Sequence, residues 1–280
     1  MKVHPFVIPK NLNESLIVQV DEAPTFYNKL HQHKEIQISF IKEGYGKLII
    51  ADSIHTIDQG DIYVIGSNNP HVFQSAESCK NTQMITLFFN RTTLDNTLKY
   101  IPELDVLNDF FSKVETSIKI RSQKKSISNK MNLLVRSDKF SRVIIFLQLL
   151  KKINKADILK LSEFKYSRKM SVREGKRMQV IFDYVMQHFQ NSIPLKTLSD
   201  LVFMTPNAFC RFFKQRTNIT FSKFLLQLRV EHACQLLEST QDISIAEIAE
   251  KSGFSSISNF NRQFKTIKKC SPSTYRKTSV

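Results

Sequence analysis

The C-terminal part of the chain repeats itself. The run Leu195-Lys196-Thr197-Leu198-Ser199, then Phe209-Cys210-Arg211-Phe212-Phe213-Lys214, returns as Ile245-Ala246-Glu247-Ile248-Ala249, then Phe260-Asn261-Arg262-Gln263-Phe264-Lys265. The offset is 50 residues at the start of each copy and 51 at its end. Each copy joins one short apolar-periodic run to a second whose phenylalanines sit four apart, the pattern of two helices linked by a turn. A chain that carries this unit twice must build its C-terminal part from paired helices.

Local chemistry supports each unit. Leu195, Leu198 and Leu201 fall on one helical face, and Ser199, like Ala249 in the second copy, is small enough to let the next helix cross closely. Thr205 before Pro206 gives an N-cap followed by proline in the first helical position. The helix that follows buries Phe209, Phe213 and Phe212 and turns Asn207, Cys210, Arg211 and Lys214 outward. In the second copy Ser244 and Glu247 have capping-box spacing. Gly253 supplies a permissive turn, and Ser255 or Ser256 caps the next helix. There Phe260 and Phe264 face inward, leaving Ser256, Ser258, Asn261, Arg262 and Lys265 for an outside partner. Between the units, Phe221 to Leu237 places Phe224, Leu225, Leu228, Ala233, Leu236 and Leu237 at a helical period, as a strut that spaces them.

Two helix-turn-helix units with basic second helices read double-stranded DNA by laying those helices in the major groove. The guanidinium groups of Arg211 and Arg262 match the O6 and N7 acceptors of guanine, or else clamp phosphate. Asn207 and Asn261 suit adenine, and Lys214 and Lys265 suit phosphate. The run IAEIAEKSGFSSISNFNRQFK, followed by SPSTYR, resembles the C-terminal signature of the AraC/XylS family of bacterial transcription regulators, over Gly175 to Lys277. The family commonly has glycine where Asn218 stands, and again near Lys269. The resemblance implies a regulator that acts on RNA polymerase, an activator by expectation, with a sensor domain ahead of the DNA reader.

The composition is compatible with this. The 280 residues are 41% hydrophobic and include 22 Phe, enough for two packed cores. The formal net charge of +16 suits a phosphate-rich partner. No apolar run approaches the ~18 to 20 residues of a membrane helix, and MKVHPFVIPKN lacks the apolar stretch of a secretory signal. No membrane partner and a cytoplasmic location are therefore expected. Cys79, Cys210, Cys234 and Cys270 are isolated, without zinc or redox spacing, and are expected as reduced thiols. Cys210 is expected to be a small, semi-buried residue of the first reading helix rather than a redox sensor.

From Leu30 to Phe89 short β-rich runs, Ile36–Ile41, Lys47–Ile50 and Asp61–Ile65, alternate with turns at Gly44, Gly46, Asp58–Gly60 and Asn68–Pro70. Such spacing predicts a sandwich or barrel. His31, His33, Gln37 and Gly44, then Gly60-Asp61 and His71, are similar in spacing to the two motifs of the cupin barrel. In metal-binding cupins the corresponding histidines and an acidic residue converge on a transition metal. Here Gln37 takes the acidic place, a poorer and uncharged ligand, and Glu35 falls one pleat short of it. Gly66 and Asn68 stand where the second motif usually has proline and glycine. His31, His33, Gln37, Tyr45 and His71 are therefore assigned to an effector pocket, with no metal and no cofactor expected; barrel-lining histidines remain open as a reading.

Leu94 to Val114 and Met131 to Ile153 read as helices, the second with a stripe of Val143, Leu147 and Leu150 beside Ile144. By the resemblance, helices here pair two subunits into a homodimer; packing on the barrel is the other use. Lys155 to Arg177 is polar and basic, and Lys165, Arg168, Lys169 and Arg173 are candidates for phosphate contact. The expectation is thus an α+β multidomain protein. It has a cupin-like sensor and dimerisation domain over 1–154, a basic linker over 155–174 and a double helix-turn-helix domain over 175–280. It is expected not to be an enzyme. The alternative is a metal-dependent cupin enzyme fused to a DNA-binding tail.

Overall fold

A computed structural model describes residues 15–50, 52–76, 78–98, 100–162, 171–239 and 242–278. The N-terminal segment MKVHPFVIPKN and the linker residues Lys165, Arg168 and Lys169 lie outside the described residues. The chain divides into two compact units, residues 1–51 with 57–171, and residues 172–280 grouped with 52–56.

In the N-terminal unit β1 (Leu16–Ala23), β2 (Ile36–Glu43), β5 (Ile62–Ile65), β7 (Thr82–Phe89), β8 (Ile118–Ile120) and β9 (Ile158–Lys160) form one sheet in the order β1-β7-β2-β5-β8-β9. A second sheet takes β4 (Ser53–Ile57), β3 (Gly46–Ile50) and β6 (His71–Ser75). β2 is buried on both faces from Ile36 to Ile41, although its sequence alternates apolar residues with Gln37 and Ser39. Its even positions, Ile36, Ile38 and Phe40, join Val64, Leu87 and Phe89 in a core. That core is closed by α2 (Leu107–Val114), α3 (Lys124–Arg136) and α4 (Lys139–Asn154) through Phe110, Met131, Phe146 and Leu150. The odd positions, Gln37, Ser39 and Ile41, point the other way, and Ile41 packs with Leu48, Ile50, Tyr63 and Phe73 between the two sheets.

Several expectations change here. The apolar run from Leu94 breaks: α1 (Arg91–Leu98) is followed by a 3-10 turn at Pro102–Leu104 before α2 begins. Proline cannot continue a helix that precedes it. The stretch expected to open a linker at Lys155 instead contains β9, antiparallel to β8, with Leu161 and Ser162 buried behind it. Asp61, in the second motif-like stretch, is held by two lysines. Burial alone raises its pKa, but hydrogen bonds from Lys119 and Lys124, at 2.6 and 2.8 Å, outweigh burial and hold it below the usual carboxylate range. It thereby ties the turn before β5 to β8 and α3.

The C-terminal unit is helical: α5 (Val172–His188), α6 (Leu195–Leu201), α7 (Pro206–Thr217), α8 (Phe221–Ser239), α9 (Ile245–Lys251), α10 (Ile257–Lys268) and α11 (Pro272–Thr278). Phe182 of α5, Phe213 of α7 and Phe224 of α8 pack ring on ring around the first helix pair. Around the second, Val230, Ala233, Cys234 and Leu237 of α8 meet Ile248, Ala249, Phe260 and Phe264. α8 therefore serves both cores from different sides, which is why Val230 and Cys234 are buried while Leu225 and Leu236 are only half-buried. Arg229 of α8 fixes the end of α5 by donating to the Phe189 and Asn191 carbonyls at 2.7 and 2.8 Å. Among the described residues no helix is long and apolar enough to cross a membrane.

Candidate functional site

α7 starts where its sequence says. Thr205 accepts at Oγ1 from the Ala208 amide at 3.3 Å, and Pro206 takes the first helical position. Phe209, Phe212 and Phe213 are buried, and Asn207, Cys210, Arg211 and Lys214 all face solvent. Cys210 is exposed, correcting the semi-buried expectation; it falls outside the buried face formed by the phenylalanines. α10 repeats the arrangement. Ser256 caps it, accepting from the Asn259 amide at 3.4 Å, with Phe260 and Phe264 inward and Ser258, Asn261, Arg262 and Lys265 exposed. Ser244 caps α9 at 3.1 Å from the Glu247 amide, while the Glu247 carboxylate pairs with Lys251 at 2.9 Å.

The first helices contribute less than expected. Only Leu198 of the Leu195, Leu198 and Leu201 trio is fully buried, next to the equally buried Ser199, because the short α6 offers its neighbours one narrow seam. Sequence reasoning also missed Asn259, whose Oδ1 accepts from Arg262 Nη2 at 3.1 Å. The spacing of three residues on one helix was the available signal. It holds one edge of the guanidinium and leaves its other donors for a partner.

The turns of the repeat differ in chemistry. Gly253 occupies the left-handed region at φ +84°, and a Cβ there would lie 2.8 Å from the Gln190 backbone. Fifty residues earlier Phe203 holds the matching place at φ +55°, 91% exposed. Asn218 and Lys269 close α7 and α10 at φ +61° and +64°, so both turns form without the family's glycine.

The barrel histidines come together. His31 and His71 pair through backbone hydrogen bonds of 3.1 and 2.9 Å, their rings 4.2 Å apart. His33 lies 5.2 Å from His71. Gln37 reaches both, its Oε1 standing 2.9 Å from His33 Nε2 and 3.0 Å from His71 Nε2. A polar chain continues from Gln37 Nε2 to Ser39 Oγ at 2.8 Å, and on to Thr86 Oγ1 at 3.3 Å. Burial pushes the His31 pKa down to about 3, and that of His71 well below its usual value, with the neighbouring histidines adding to both. The His31 and His71 rings are therefore neutral at physiological pH. Tyr45 does not join them. It is 44% exposed and its hydroxyl donates to Ser78 at 3.0 Å. Its neighbour Gly46 pairs with Ser75, at the opposite end of the β3 and β6 ladder from the Ile50 and His71 pair.

Comparison with known proteins matches both units to families. Residues 15–107 match an AraC-like ligand binding domain and residues 198–278 a helix-turn-helix domain. The probable transcriptional regulator LumQ of Photobacterium leiognathi is 25% identical over 92% of this chain and 94% of its own length. The transcriptional activator RhaR of Mannheimia succiniciproducens is 23% identical over 88% and 86%. The Msm operon regulatory protein of Streptococcus mutans is 26% identical over 86% and 83%. An AraC-like ligand binding domain joined to a helix-turn-helix domain defines a transcription regulator. The chain belongs to the AraC family of such regulators.

Proposed function

We propose that this regulator reads two successive major-groove segments with α7 and α10 of one chain, and that it activates transcription by engaging RNA polymerase from that position. The observation that carries the reading is the duplicated outward face, Asn207, Cys210, Arg211 and Lys214 on one helix and Ser258, Asn261, Arg262 and Lys265 on the other, each backed by buried phenylalanines. Arg211 and Arg262 contact guanine; Asn207 and Asn261 contact adenine. Lys214 and Lys265 hold phosphate. Ser256, whose hydroxyl caps α10, presents its backbone at the phosphate-facing helix N-terminus. Activation is supported by the name of the RhaR relative.

The N-terminal unit senses a small molecule at His31, His33, Gln37 and His71 and carries out no catalysis. Two chains pair through the outer face of α3 and α4, where Leu133, Val135, Phe140, Val143 and Ile144 are exposed. Pairing brings four reading helices to one stretch of DNA and raises affinity by effective concentration. The protein works in the cytoplasm, where chromosomal DNA is at hand. Selection of bound sequences from random DNA by purified full-length protein tests this reading. It should enrich a bipartite site, preferred over bulk DNA by ~10³ or more; recovery of no common sequence would reduce the protein to a charge-driven binder.

A further inference from the structure

The two reading helices are capped alike and then differ at one position. Thr205 Oγ1 accepts from the Ala208 amide and Ser256 Oγ from the Asn259 amide, so Ala208 and Asn259 hold the same place in the first turn of α7 and of α10. One turn on in each helix stands an exposed arginine, Arg211 or Arg262. Residues three apart are neighbours on a helix surface, so the side chain in the first turn decides how the arginine is held. Asn259 Oδ1 accepts from Arg262 Nη2 at 3.1 Å. Ala208 has no such atom, and Arg211 makes no side-chain hydrogen bond or ion pair among the described residues.

The Asn259 bond takes one N–H donor of the planar Arg262 guanidinium and thereby fixes the direction of the others. Guanine offers O6 and N7 side by side in the major groove and is met by two donors of one guanidinium. A guanidinium held at one edge presents its remaining donors one way, so a base without those acceptors is met only by giving up the Asn259 bond. A guanidinium free to swing, like that of Arg211, turns instead to a phosphate or a neighbouring base edge, and the wrong base costs it less. Resting on the reading that α7 and α10 lie in successive major-groove segments, we infer that Asn259 is a positioning residue for Arg262 and makes α10 the stricter of the two reading helices.

Two limits set the size of the effect. In water an exposed bond between residues three apart shifts the arginine's rotamers only about twofold. Against DNA the bond no longer competes with water and so strengthens. It also spares the ordering of a long side chain at an interface, worth a factor of about two to ten. A purely structural duty fits Asn259 poorly. The cap uses its backbone amide, which alanine also supplies, and alanine is the better helix former. Asn259→Ala should therefore keep or raise the melting temperature while base preference falls.

Full-length wild type, Asn259→Ala, Arg262→Ala and the double variant, titrated on the selected DNA site and on copies changed at single base pairs, test the inference. Arg262→Ala first marks the base pair that this arginine reads. Asn259→Ala should lower discrimination at that pair by about two- to tenfold, leave the other pairs as they were, and add nothing once Arg262 is gone. Wild type should discriminate more sharply there than at the pair marked by Arg211→Ala. Unchanged discrimination in Asn259→Ala would overturn the positioning role, and so would a loss that persists without the arginine, since Asn259 would then meet DNA by itself. Sharper discrimination at the Arg211 pair would overturn the contrast between the helices. If Arg262→Ala relaxes no base pair, the major-groove reading itself fails and the inference falls with it.

Discussion

Phe203 holds a left-handed backbone that its counterpart Gly253 adopts without cost. A bulky residue there gives up about 1 kcal/mol or more to the clash between Cβ and the following carbonyl, and at 91% exposure Phe203 recovers little of that by packing. Phe203→Gly should therefore stabilise the protein by about 1 kcal/mol, seen as a higher denaturant midpoint at unchanged slope. A lower midpoint would mean that the ring packs in the folded state. The reverse change, Gly253→Phe, meets the Gln190 backbone as well as the wrong φ and should be far worse tolerated. At this scale the outward faces of α7 and α10 were legible, because a helix cap and a phenylalanine every four residues fix which side chains face out. The Gln37 amide was not. Its place between His33 and His71 depends on where the folded chain sets the two rings.

Among the elements, the stripe on α4 divides in a way its sequence does not reveal. Leu150 is fully buried in its own core and Leu147 packs against that core, while Val143 and Ile144 remain exposed beside Phe140, at 76%. Leu147→Asp would therefore strain the domain itself. Ile144→Asp and Phe140→Asp should leave melting nearly unchanged yet turn a dimer into a monomer in sedimentation, by placing an unpaired carboxylate in the pairing face. Wild-type protein that sediments as a monomer at every concentration would remove the pairing role. The helices of the C-terminal unit were readable because their caps and apolar periods are local. The strands β1, β8 and β9 were not, since β1 has an exposed edge pattern and β8 and β9 have only three residues each, defined by partners distant in the chain. Reading Lys155 onward as linker failed for the same reason.

For the molecule as a whole, one chain holds two cores in its DNA-binding unit, both built on α8, so the two reading helices are fixed to one rigid element rather than to two subunits. The net charge of +16 adds affinity that any DNA shares, so affinity alone does not test the double reading; base preference does. The deciding measurement is the base-pair preference profile of full-length wild type, Arg211→Ala and Arg262→Ala, determined on the same selected site. Each change should cost about 1 to 3 kcal/mol and relax preference at its own base pair, the two positions lying roughly one helical turn apart. Relaxation of the same base pair by both variants, or equal weakening on every sequence, would contradict a chain that reads DNA twice.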